Sequence, residues 1–159
     1  MNEYDFSLAK ESDIPKILKL YRSLIGTSGC TWSIDYPDAE IVKFDVKNDS
    51  LYILKENGVI IAVASAGLTD ELNHLQWSLE KPCELARIGV RATLQKRGIG
   101  TIILKNVIEA VKERDFDGII MLVSKTNPSA LALYDKNGFE RLSEVMMYGI
   151  NFYCYQMKF

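Results

Sequence analysis

The chain has few of the residues that do chemistry alone. Its 159 residues include one histidine, His74, and three cysteines, Cys30, Cys83 and Cys154, far apart from one another. A single histidine with no cysteine or carboxylate cluster at ligand spacing argues against a metal centre. His74 sits in an irregular polar stretch where solvent exposure is expected. An odd thiol count without a CxxC pair gives no disulfide framework and fits reduced thiols in the cytoplasm. Neither sign of charge dominates: the net charge is −2, so no basic face is offered to nucleic acid. No apolar run approaches the roughly 20 residues that a membrane span needs. The polar start, Met1 to Phe6, does not read as a signal peptide. Repeats, low-complexity tracts and a linker are also missing. What remains is ordinary: 48% apolar and 25% charged residues. That composition predicts one globular domain over 1–159, able to bury a core without disulfides or metal.

Periodicity then gives the elements. Tyr4 to Leu8 reads as a first strand. Ser12 is the expected cap of a helix with Pro15 in its first turn, and Ile14, Leu18, Tyr21 and Ile25 are its expected buried stripe. Gly26 to Gly29 ends it. Pro37 to Val46 reads as a second helix, with Ile41, Phe44 and Val46 in partial register. Leu51–Lys55 and Val59–Ala66 flank Asn57-Gly58, a strong hairpin signal. Leu68 to Lys81 reads as a loop. Glu84 to Val90 is a strand, Gly98 to Arg114 a helix with Ile99, Ile103, Val107 and Ala110 on one face, and Gly118 to Val123 a strand buried on both faces. This is a βαβ unit, expected to be parallel and right-handed. Asn127-Pro128 opens another helix and Gly138 closes it in a left-handed conformation. Leu142–Tyr148 and Phe152–Lys158 read as a last antiparallel pair. The class is α/β with a mixed, mostly antiparallel sheet flanked by helices.

One segment stands out. Leu94-Gln95-Lys96-Arg97-Gly98-Ile99-Gly100-Thr101 lies between a strand and a helix. Two glycines at a helix start let backbone N–H groups approach an anion, and the helix dipole favours negative charge there. A pyrophosphate suits such a turn, with Lys96 and Arg97 adding positive charge, though the pair also reads as a plain solvated turn. The Gly-Lys-Ser/Thr of a P-loop is absent. A GxGxxG dinucleotide fingerprint would need glycine where Ile103 stands.

The Q-x-x-G-x-G pattern after Arg87-Ile88-Gly89-Val90 resembles the GNAT superfamily of acyl-CoA-dependent N-acyltransferases. A second block, Asn127-Pro128-Ser129-Ala130-Leu131-Ala132-Leu133-Tyr134-Asp135-Lys136-Asn137-Gly138-Phe139, resembles that family's N-x-x-A-x-x-L-Y-x-K-x-G-F signature. The two blocks, in register with a helix and a buried strand between them, run from about Glu84 to Phe139. Ala92 departs from the pattern, since many members carry proline there, which bears on loop stiffness rather than chemistry.

The resemblance implies acetyl-CoA as acyl donor, no metal, and a βαβ unit splayed to hold the donor. The loop Gln95, Lys96, Arg97, Gly98, Ile99, Gly100 and Thr101 would hold the pyrophosphate. Backbone of Ile88 and Val90 would pair with the pantetheine arm, with Gly89 as the bulge between them and an N–H near Val90 polarising the thioester carbonyl. Tyr134 matches the family's general acid for the leaving thiolate. Asn127 contacts the pantetheine arm or serves only as a helix cap. An attacking amine must be unprotonated, which calls for a general base. Glu84, on the strand leading into the site, is the candidate, acting directly or through water. An ordinary paired carboxylate is an equal alternative.

Trp32, Tyr36 and Trp77 fall in segments that flank the acceptor cleft in relatives, where substrate contact and plain packing both fit. Acidic Asp70, Glu71 and Glu80 would attract a cationic amine. The expected function is transfer of an acetyl group to a primary amine of a small molecule or peptide. The alternatives are a non-catalytic acyl-CoA-binding or sensing module, and an interaction domain with a vestigial loop. The family also makes a homodimer an expectation.

Overall fold

The computed structural model describes residues 4–159. A seven-stranded sheet runs in the order β1-β2-β3-β4-β5-β7-β6. Its strands are β1 (Tyr4–Leu8), β2 (Leu51–Glu56), β3 (Val59–Gly67), β4 (Pro82–Val90), β5 (Gly118–Ser124), β6 (Glu140–Met147) and β7 (Ile150–Lys158). Its helices are α1 (Ile14–Ser23), α2 (Ala39–Lys47), α3 (Ile99–Lys112) and α4 (Pro128–Lys136). Every neighbouring pair is antiparallel except β4 and β5.

Local chemistry explains most boundaries. Asn57 at φ 51° and Gly58 at φ 84° turn the β2–β3 hairpin, the left-handed pair of a primed turn. Asn127 caps α4, its side-chain oxygen accepting from the Ala130 N–H at 3.2 Å. Gly138 follows α4 at φ 87°, and the Phe139 N–H returns to the Tyr134 carbonyl at 3.2 Å, closing the helix as a glycine cap does.

The first two helices depart from the expectations. Ser12 does not cap α1. A 3-10 turn over Glu11–Asp13 precedes it, and the Asp13 carboxylate accepts from the Lys10 N–H at 2.9 Å. The buried stripe is Ile14, Ile17, Leu20, Tyr21 and Leu24, while Ile25 is exposed. Ile14 and Tyr21 lie on the expected face and Leu18 packs half-buried against the same cluster, whereas Ile25 falls beyond the last turn of α1. In α2 the cap is Asp38, whose carboxylate accepts from the Ile41 N–H at 2.9 Å. Val42 and Asp45 are its buried residues, and Phe44 is 63% exposed.

Two cores result. On one face of the sheet α3 buries Ile99, Ile103, Leu104, Val107 and Val111 against β2–β5, and Tyr134 of α4 joins the same cluster. On the other, α1 and α2 pack on β2 and β3 through Ile17, Leu20, Tyr21, Val42, Ile53 and Val63. At roughly 1.5–3 kcal/mol for each fully buried aliphatic side chain, these clusters fix β3 and β4, the strands on which the site is built.

Candidate active site

The parallel ladder is short. Only Pro82, Cys83 and Glu84 pair with β5, opposite Gly118, Ile119 and Ile120. Beyond them β4 stays with β3 and β5 stays with β7. The two strands part, and a cleft of about 1550 Å³ opens between them. Ile88 and Val90 from β4 and Met121 and Val123 from β5 line it.

The cause lies in β4. Val63 pairs with Gly89 and Ser65 with Ala86, so one β3 residue faces two on β4. The bulge is therefore Arg87–Ile88, with Arg87 at φ 51°, and not the expected Gly89. A non-glycine residue in this conformation costs about 1–2 kcal/mol. Gly89 serves another purpose: a Cβ on it would lie 2.9 Å from Leu24 Cδ1. An alanine there would require the Leu24 side chain, just after α1, to move aside.

At the far end of β4 the chain makes a 3-10 turn over Ala92–Leu94 and enters α3 through Gly98 at φ 80°. The first intrahelical bond runs from the Ile102 N–H to the Gly98 carbonyl at 3.1 Å. The N–H groups ahead of it have no acceptor within the helix and sit at its positive end. A Cβ on Gly98 would meet nothing within 4 Å, so backbone is open to a ligand there. Gly98, Gly100, Thr101 and Lys96 line the cleft. Gln95 lines it too, with its side-chain amide tied to the Val90 carbonyl at 3.1 Å, so that it braces the loop. Arg97 is exposed and outside the lining, and the Ile99 side chain is buried in the core. Ile99 can offer only its backbone.

Glu84 stands where the strands separate. Its carboxyl is pushed above the ordinary range, first by burial, against a Thr69 hydrogen bond and the Arg87 charge, which favour the anion. Glu71 and Asp45 raise it further. That environment makes the carboxyl hold a proton more firmly than it would in water. Tyr134 lines the same cleft. Its ring is held edge-on to Phe139 at 5.5 Å between centroids, and burial alone drives its acidity well below that of a free phenol. It therefore keeps its proton until a strong base needs it. Asn127 also lines the cleft and presses on Gly29, where an added Cβ would lie 2.8 Å from its side-chain oxygen.

The sequence reading missed an ion pair here. Arg87 Nη2 meets Asp45 Oδ2 at 2.8 Å and Ser65 Oγ at 3.1 Å, and Nη1 meets the Tyr36 hydroxyl at 3.2 Å. The available signal was Asp45 itself, a charge on the stripe α2 buries. Tyr148 was missed as well: its hydroxyl donates to Glu71 at 2.9 Å, which pushes its pKa up to about 12. Of the aromatic candidates, Trp32 and Tyr36 line the cleft and Trp77 does not. Trp32 rests edge-on against Tyr21 at 5.1 Å, and Trp77 donates to the Leu72 carbonyl at 2.9 Å, pinning the loop. Asp70 and Glu71 line the cleft, whereas Glu80 lies outside it. His74 is exposed, and among the described residues no group of His, Cys, Asp and Glu side chains is disposed to hold a metal.

A sheet split beside a glycine-entered helix thus sets a buried phenol and a half-buried carboxyl on one cleft. The acetyltransferase (GNAT) family model matches residues 17–139, and the chain belongs to that family. Among curated relatives, N-alpha-acetyltransferase 30 of Xenopus laevis is 36% identical over 67 residues, 42% of this chain and 24% of that protein. The human protein matches equally over 18% of its length, so the likeness spans a quarter or less of these relatives. Solved structures share the fold. A GNAT-family acetyltransferase from Streptococcus agalactiae has a TM-score of 0.81 at 18% identity, covering 98% of this chain and 95% of that one. The Salmonella typhimurium yncA structure, determined with its cofactor acetyl-CoA, has a TM-score of 0.78 at 16% identity, over 98% and 94%.

Proposed function

We propose that this protein transfers an acetyl group from acetyl-CoA to a primary amine of a small-molecule or peptide acceptor. The observation that carries the reading is the parting of β4 and β5 immediately beyond Glu84, with Tyr134 on the same cleft. The donor fits the residues present: Gly98, Gly100, Thr101 and Lys96 offer unpaired N–H groups and positive charge for a pyrophosphate, and β4 backbone from Ile88 to Val90 has no strand partner on the β5 side. Acetyl-CoA supplies an activated acyl group and a thiolate leaving group.

The protein's own residues do the rest. Glu84, its carboxyl raised by burial, takes the proton of the incoming ammonium, directly or through water. A backbone N–H near Val90 stabilises the developing oxyanion. The Tyr134 hydroxyl, on the same cleft, gives its proton to the departing thiolate, and the proton that the attacking nitrogen sheds as the amide forms restores the phenol. Asp70, Glu71 and Glu84 make the acceptor half attractive to a cation. Three separated thiols and the lack of any helix long and apolar enough to cross a membrane among the described residues suit a cytoplasmic site of action. A homodimer belongs to the same proposal on family grounds.

The test is thiol release from acetyl-CoA across a panel of amines, with Tyr134→Phe beside the wild type. Loss of a general acid is expected to lower kcat by about 10²-fold while acetyl-CoA binding, read by calorimetry, stays unchanged. Binding without thiol release for any amine would turn the reading to a non-catalytic acyl-CoA sensor. Absence of binding would remove it altogether.

A further inference from the structure

Arg87 holds a place that a smaller residue would fill at lower cost. It combines a left-handed backbone, φ 51°, with a side chain buried enough that its Nε has no hydrogen-bond partner. Such features persist where the surroundings over-determine them.

The bulge decides where this side chain goes. Cys83 and Leu85 point into the α3 core, and strict alternation would send residue 87 there too. With two β4 residues opposite one on β3, Ile88 and Val90 take over the core-facing role. Arg87 and Gly89 turn to the opposite face, toward Asp45 of α2 and Leu24 after α1. A one-residue shift of face thus puts a guanidinium on the acceptor side, next to Glu84.

Every anchor of Arg87 comes from the acceptor side. Asp45 belongs to α2, Tyr36 to the segment before it, and Ser65 to β3. The Tyr21 hydroxyl, from α1, donates to the Arg87 main-chain carbonyl at 3.3 Å. Both ends of the residue are therefore held by the two helices that cover the acceptor half. The ion pair itself is shielded, with side-chain exposures of 17% and 7%.

We propose that the Arg87–Asp45 ion pair is a positioning device: it ties α2 to the bulge of β4 and sets the charge felt by Glu84. This rests on the proposed role of Glu84 as base. The groups facing Glu84 are the Thr69 hydroxyl, Arg87, Glu71 and Asp45, with Tyr148 bonded to Glu71. Arg87 favours the Glu84 anion and Asp45 opposes it. The two partners of one ion pair thus push the same carboxyl in opposite directions, which loss of structure alone would not reproduce.

The experiment follows the Glu84 carboxyl by carbon-13 NMR, assigned with Glu84→Gln, in wild type, Asp45→Asn, Arg87→Met and Arg87→Lys. Asp45→Asn is expected to lower the midpoint and Arg87→Met to raise it. Arg87→Lys keeps the charge and is expected to leave the midpoint near wild type, yet to lower kcat because an ammonium cannot reproduce the guanidinium fork. Should Arg87→Met fail to fold, Asp45→Asn, which keeps the side-chain shape, carries the sign alone. An unchanged or raised midpoint in Asp45→Asn overturns the proposal. The acid limb of the rate–pH profile is measured on the same variants. If the carboxyl moves and the limb does not, Glu84 is not the base and the mechanism above fails while the coupling stands.

Discussion

At the scale of single residues, Glu84 as the proposed base would set stability against chemistry. Burial raises its pKa in the folded protein. A carboxyl raised on folding lends stability below its unfolded pKa, near 4.3, and that contribution is lost as pH rises through the folded value. At neutral pH the protein therefore bears the cost of a half-buried anion. Glu84→Gln is expected to raise the melting temperature at pH 7–8 by about 2–4 °C, on the order of 1 kcal/mol, with the gain vanishing near pH 4. Melting curves across that range check it, and a gain independent of pH would show that Glu84 folds at its ordinary pKa. Tyr134 shows how far sequence reaches at this scale. Its place in a motif singled it out, but the edge-on packing against Phe139 that fixes the ring depends on a glycine cap bringing Phe139 back beneath the helix. Arg87 was not legible, because its bulge leaves no local pattern and Asp45, a charge on the buried stripe of α2, does not name a partner 42 positions away.

Elements differ in how plainly they are written. The β2–β3 hairpin, α3, β5 and α4 were legible because each has a strong local cause: a left-handed Asn-Gly pair, a long apolar stripe, an unbroken apolar run, an Asn-Pro start with a glycine stop. The stripes of α1 and α2 were not. In short helices, a shift of entry by one or two residues decides which side chains are fully covered, and here packing on β2 and β3 buries Ile17 and Val42, leaves Leu18 half-buried against the same cluster and leaves Phe44 exposed. The entry to α3 offers the sharpest element-level prediction. Gly98 adopts φ 80° with open space where a Cβ would go, so Gly98→Ala pays only for backbone conformation, about 1 kcal/mol. If this turn holds the pyrophosphate, Gly98→Ala is expected to weaken acetyl-CoA binding several-fold while kcat at saturation changes little. Calorimetric titration decides it: unchanged affinity would make the turn purely structural.

Across the whole molecule, the order of elements was enough to expect a mixed sheet with a parallel βαβ unit, and the strand order bears this out. The depth of the split was not legible, because it depends on where the parallel ladder stops, after Glu84 and Ile120, and that point is set by the bulge against β3. The split has a consequence for life without ligand. β4 and β5 each turn a run of backbone donors and acceptors into the cleft, so the sheet has two internal edges in addition to its outer ones. Open strand edges template the addition of foreign strands. Pantetheine, with its two amides, would occupy this gap as a strand would, and saturating acetyl-CoA is expected to delay heat-induced light scattering as well as to raise the melting temperature by mass action. Equal scattering onset with and without acetyl-CoA would mean that the internal edges are already shielded. A delayed onset would instead make the supply of acetyl-CoA govern how long the protein stays in solution, with the donor acting as a removable strand that completes the sheet.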